Sequence, residues 1–146
     1  MANYCCTIRS NYFHVKNMDL FKDIMSKVQG NEDEVKLWEE KDTNGAPVFA
    51  FGCYSTINGI PDTSGNGDED DIDENAYDRF IDALQKCVSN DDAIIVMESG
   101  HEQLRYVVGS ALIITSEEIK YFNVADLAVK ETAKMIRENF TTRIDY

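Results

Sequence analysis

The chain opens on TIRSNYFHVK, Thr7 to Lys16, where β-branched and aromatic residues predominate and predict a strand. Asn17 follows as a helix N-cap. Leu20, Phe21, Ile24, Met25 and Val28 then recur at helical spacing, with Gly30 as the stop. VKLWEEK and PVFAFGCY read as two strands around Asn44-Gly45, a dipeptide that favours the positive φ angles of a tight hairpin turn. From Ser55 to about Glu74 the apolar pattern fades, and Gly59, Pro61, Gly65 and Gly67 interrupt it. That predicts an acidic loop at about residues 55–75, roughly 20 residues and longer than a compact domain leaves without a reason.

Apolar periodicity returns near Asn75, with Tyr77, Phe80, Ile81, Leu84 and Val88 on one helical face. Three strand patterns come next: AIIVMES, the long run LRYVVGSALIIT, and IKYFN. Turns are expected around Ser99-Gly100 and at Ser116-Glu117-Glu118. A last helix is predicted from about Asp126 to Asn139, and the tail TTRIDY is either an added edge strand or loose. The predicted order, β-α-β-β-loop-α-β-β-β-α, specifies an α+β fold: a mostly antiparallel sheet of about five strands with three helices, covered on one face. At 146 residues the whole chain, 1–146, is expected to form a single domain.

Charge changes this picture more than composition does. The formal net charge is −13, and its distribution is uneven. Residues 1–61 carry 8 acids and 6 bases, residues 62–100 carry 12 and 2, and residues 101–146 carry 7 and 6. An excess held on one segment produces a directed field rather than general solubility. Direct binding to nucleic acid or to an anionic membrane is disfavoured, because both need clustered Lys and Arg. The early polar residues Arg9, Asn11, His14, Lys16 and Asp19 interrupt any apolar leader, which places the protein in the cytoplasm as an expectation.

The acidic segment supports three readings. DTSGNGDEDDID places Asp62, Ser64, Asn66, Gly67, Asp68, Asp70 and Asp73 at calcium-loop positions, but Asp73 replaces the longer bidentate Glu and Glu69 occupies the usual apolar position. The residues before it do not look helical either, so no metal or other cofactor is expected. A solvated acidic loop is the plainest alternative. The third reading is imitation of nucleic-acid charge, with Asp62, Asp68, Glu69, Asp70, Asp71, Asp73, Glu74, Asp78 and Asp82 as partner-binding residues. Asp78 and Asp82 carry the acidic run into the helix at an i, i+4 spacing, about 6 Å of axial rise.

Evidence for an enzyme is confined to residue type. His14 and His101 with Cys53 or Cys87 supply a base and a nucleophile by composition, yet no oxyanion or phosphate-binding glycine motif accompanies them. No catalytic residues are expected. The cysteines Cys5, Cys6, Cys53 and Cys87 lack the paired spacing of a zinc or redox site and read as reduced thiols, each a buried small hydrophobe. Trp38 and the tyrosines read as core or interface residues.

In NYCCTIRSNYFHVK, VFAFGCYSTINGI and LRYVVGSALIIT the chain resembles small acidic, mostly uncharacterised proteins carried by mobile genetic elements of gut bacteria. The likeness spans most of the chain and includes the acidic centre, but those runs are structural and transfer no catalytic residue. Anti-CRISPR and anti-restriction inhibitors share this genomic setting, and several are acidic DNA mimics. The resemblance therefore implies an inhibitor of a basic nucleic-acid-binding protein, such as a CRISPR effector or restriction enzyme. An acidic accessory or immunity-type interaction module without mimicry is the first alternative, and a calcium-binding module the second.

Overall fold

The computed structural model describes residues 4–62 and 74–140. Its elements are β1 (Cys5–Ser10), α1 (Met18–Lys27), β2 (Gln29–Gly30), β3 (Lys36–Lys41), β4 (Pro47–Cys53), β5 (Ile57–Gly59), α2 (Ala76–Cys87), β6 (Ile94–Glu102), β7 (Arg105–Ile114), β8 (Ile119–Asn123) and α3 (Val124–Ile136). The fold is α+β, as the periodicities predict. The main sheet has six strands in the order β3-β4-β1-β6-β7-β8, all neighbours antiparallel, rather than about five. All six belong to the predicted order, and β1 unites them in one sheet because it lies between the β3–β4 and β6–β7 hairpins and hydrogen-bonds to both.

Strict alternation in β1 sends Cys6, Ile8 and Ser10 inward and Cys5, Thr7 and Arg9 outward. The strand stops at Ser10 instead of running on to Lys16. There the Asn11 side chain donates to the Ala93 carbonyl and accepts from the Ile95 N–H, replacing ladder bonds and turning the chain away. Phe13 then makes an isolated bridge to Phe49 across reciprocal 2.9 Å backbone bonds.

Asn17 caps α1 as expected, its side chain accepting from the Leu20 N–H at 3.1 Å. The helix ends at Val28, and Gly30 belongs to β2, where any Cβ would collide with the Asp33 carbonyl. Gly45, at φ +83°, makes the β3–β4 turn. Asp42 closes it by accepting from the Asn44 and Ala46 N–H groups.

Two turn and loop expectations need correction. The acidic loop begins later than Ser55, because Ile57–Gly59 forms β5 against β2 and buries Ile57. The β6–β7 turn lies at Gln103-Leu104 rather than Ser99-Gly100. Gly100 is inside β6, where the Tyr4 ring occupies the space a side chain would need. The β7–β8 turn falls where predicted, with the Thr115 hydroxyl accepting from the Glu117 and Glu118 N–H groups.

α1 and α2 cover one face of the sheet. Between them and the strands lie Phe13, Phe21, Phe49, Phe51, Phe80, Leu84, Ile94 and Ile114, all fully buried. α3 departs from the one-face arrangement. It starts at Val124, two residues before the predicted Asp126, because the Asn123 side chain caps it by accepting from the Asp126 N–H at 2.7 Å. Val124 packs against Gly109, whose strand position is on the opposite face from the core, and no α3 residue is buried. The tail TTRIDY lies outside the described residues. Among the described residues, no helix is long and apolar enough to cross a membrane.

Candidate partner-binding site

Helix α2 carries the last two acids of the predicted site, Asp78 and Asp82, on a firmly seated element. Ala76, Phe80, Ile81, Leu84 and Cys87 are buried along its inner face, while Asp78 and Asp82 are exposed on the outer one. At its N-terminal end the Ile60 N–H donates to the Ala76 carbonyl at 2.9 Å, and Arg79 Nε donates to the Ile60 carbonyl at 2.9 Å. Gly59, at φ +114°, makes this close approach possible. Asp62 and Glu74 are both exposed, as are Asp78 and Asp82. Asp68, Glu69, Asp70, Asp71 and Asp73 lie outside the described residues, as does every calcium-loop position after Asp62.

Two further acids, Asp92 of the same segment and Asp42 of the β3–β4 turn, have roles not evident from spacing. Asp92 and Asp42 bracket His14: Nδ1 is 2.7 Å from Asp92 Oδ2 and Nε2 is 2.7 Å from Asp42 Oδ2. The His14 backbone N–H also donates to Asp92 Oδ2 at 2.7 Å. A carboxylate at each ring nitrogen favours the imidazolium, the form in which both nitrogens donate. The hydrogen bonds to Asp42 and Asp92 accordingly raise the His14 pKa. The bond from His14, followed by those from the Ala46 and Asn44 backbone, lowers that of Asp42. Burial pushes Asp92 up, but the His14 and Ala93 backbone N–H groups and the His14 ring together outweigh it and hold the carboxyl below its usual value. The triad ties the β1–α1 connection, the β3–β4 turn and the α2–β6 connection together. Both ring nitrogens are engaged by these carboxylates.

The thiols are placed for packing. Cys6, Cys53 and Cys87 are buried as expected, but Cys5 is not: strand alternation places it on the outer face. Burial, reinforced by Glu98, pushes the Cys6 thiol up to about 11, and burial also raises Cys87, so neither forms a thiolate readily. Cys53 Sγ sits 3.3 Å from the Ser55 hydroxyl. His101 is exposed on β6. Among the described residues, no three His, Cys, Asp or Glu side chains converge on a position for a metal ion.

The outer sheet face is apolar and open. Thr7, Arg9, Met97, Phe122, Val124 and Leu127 border a groove of about 520 Å³ between the strands and α3. Met97 is 61% exposed and Val124 62%. Arg9 lies flat on Trp38, with its guanidinium carbon 3.9 Å from the ring centroid. The third residue missed in the sequence is Glu98. The inward alternation Ile94, Val96, Glu98 in β6 puts a carboxylate where an apolar side chain is expected, a signal that was readable.

No family model, curated protein or solved structure matches this chain.

Proposed function

We propose that the protein is a non-enzymatic inhibitor that engages a basic nucleic-acid-handling protein, such as a CRISPR effector or restriction enzyme, through an acidic, DNA-mimic-like surface in the cytoplasm. The observation carrying this reading is the seating of α2. Its core-facing side holds Phe80, Ile81 and Leu84, which leaves Asp78 and Asp82 presented on a rigid scaffold at the end of the most acidic stretch of the chain. Ordered carboxylates lose less entropy on binding than those of a solvated tail. Spacing also fits in part. Two carboxylates about 6 Å apart along a helix axis provide roughly half the charge density of one DNA strand, which carries one phosphate per about 3.4 Å. The sequence holds five more acids between Asp62 and Glu74.

Such a surface binds by matching the Lys and Arg of a nucleic-acid groove and by steering the encounter. Affinity capture from a bacterial lysate with mass spectrometry is the test. Enrichment of DNA- or RNA-binding enzymes that elute as salt rises supports the reading. Recovery of none, at low salt and with folded bait, contradicts it.

The open groove beside α3 favours a second reading, an accessory or immunity-type interaction module without mimicry. Its partner would present an apolar surface, because the groove is apolar and residues 101–146 are nearly charge-balanced. Binding of that kind survives high salt, whereas the mimic's does not.

A further inference from the structure

Glu98 is the one charged side chain in the lining of a pocket of about 190 Å³ between α2 and the β1-β6-β7-β8 part of the sheet. Ile8, Phe80 and Leu112 form apolar walls, and Tyr77 and Tyr121 stand at the exposed side, 42% and 61% accessible. Tyr4 Oη donates to Glu98 Oε2 at 2.7 Å. Among the described residues, no hydrogen bond reaches Oε1. The surroundings are electronegative as well: burial, then the charges of Glu98, Tyr121 and Asp78, raise the Tyr77 phenol.

These features select the occupant. An anion is repelled by Glu98. A purely apolar ligand would strip water from the carboxylate and leave Oε1 without a partner, which is costly in a low-dielectric site. A cation with an apolar stem satisfies every wall at once. Guanidinium suits the pocket better than ammonium, because it is planar, weakly hydrated, stacks on aromatic rings and offers several fixed donors to one carboxylate. At about 190 Å³ the pocket has room for a single amino-acid side chain.

We propose that this pocket is an anchor site for an arginine side chain of the partner, with its methylene stem passing between Tyr77 and Tyr121 at the mouth and its guanidinium innermost, donating an N–H to Glu98 Oε1. The assignment rests on the basic-partner reading above and makes it specific. Tyr77 precedes Asp78 on α2, so the pocket opens beside the acidic surface. Diffuse charge draws the partner in, and one desolvated arginine fixes its register, in keeping with the prominence of Arg among interface hot spots.

The experiment titrates the intact protein with N-acetyl-arginine methylamide, followed by NMR of the tyrosine rings, with the lysine and citrulline analogues as comparators. Saturable binding of the arginine amide in the millimolar range is expected, with shifts at Tyr77 and Tyr121, weaker binding of the lysine amide and none of the uncharged citrulline amide. Glu98→Gln retains the shape and the Tyr4 hydrogen bond and should reduce arginine affinity at least tenfold. Tyr121→Ala, at an exposed position, should weaken it severalfold without unfolding the protein. Equal binding of citrulline amide, unchanged affinity in Glu98→Gln, or no saturable arginine binding overturns the assignment. If the captured partner depends on the acidic segment but is indifferent to Glu98→Gln, the anchor fails and the inhibitor reading stands. If the arginine amide fills the pocket and no basic partner is captured, the anchor stands and the inhibitor reading fails.

Discussion

His14 Nε2 lies 2.7 Å from Asp42 Oδ2, joining the connection after β1 to the turn of the β3–β4 hairpin. Together with Asp92 at the other ring nitrogen, this contact makes stability depend on pH in a defined direction. The folded His14 pKa is raised above its ordinary 6.5, so its contribution is complete below that value and is lost as pH rises through the folded pKa. Asp42 and Asp92 are held below their ordinary 3.8, so their contribution is present above that value and is lost as pH falls through their folded pKa values. Urea unfolding of wild type and His14→Ala should differ most between about pH 4 and 6.5 and converge at alkaline pH. A difference independent of pH would show that the ring acts by packing alone.

Phe80 fixes α2 to the sheet through an edge contact with Phe51, their ring centroids 5.6 Å apart. Phe80→Ala should destabilise the protein by about 3–5 kcal/mol, and Phe80→Leu by much less. Denaturant midpoints test the ranking. Partner binding by Phe80→Ala should fall in proportion to the unfolded fraction, because the acids themselves are untouched; a smaller cost than that of Phe80→Leu would contradict the proposed seating of the helix.

Met97 and Leu127 border the outer groove and are exposed. Met97→Lys and Leu127→Lys should each change stability by no more than about 0.5 kcal/mol. On the inhibitor reading they leave partner capture intact. Loss of a salt-resistant interaction in both variants would transfer the function to this face.

Cys53 and Cys87 are buried thiols. Cys87→Ala should cost about 1 kcal/mol, the scale of one small apolar group removed from the core, and leave inhibition by the folded fraction unchanged. Cys53→Ser tests chemistry directly. A stably folded Cys53→Ser protein without activity would mark a nucleophile instead.

How much of this was readable from the chain depended on the range of the determining contact. Asn17 and Asn44-Gly45 act within a few residues, and both the α1 cap and the hairpin turn follow from them. β5 escaped notice because three residues are too few to show a period, and its register comes from β2 far upstream. Gly100 looked like a turn glycine, but what requires it is Tyr4, at the other end of the chain. The same limit hid the pairing of His14 with carboxylates 28 and 78 residues away. Of the acidic site, the exposure of Asp78 and Asp82 was legible from helical period, while the inward-facing Glu98 was visible only as a break in strand alternation.

The central claim is that the acids of residues 62–82 form the binding surface, and matched neutralisation tests it most directly. One variant changes Asp70, Asp71, Asp73, Glu74, Asp78 and Asp82 to Asn or Gln. A control changes Glu32, Asp33, Glu34, Glu117, Glu118 and Glu138, so that net charge falls equally. Association with the captured partner is then measured over a range of salt, with circular dichroism confirming that both variants fold. The first set should slow association and flatten its salt dependence far more than the control, because it removes the charges that steer the encounter. Equal effects of the two sets, or none from the first, would contradict a localised acidic mimic.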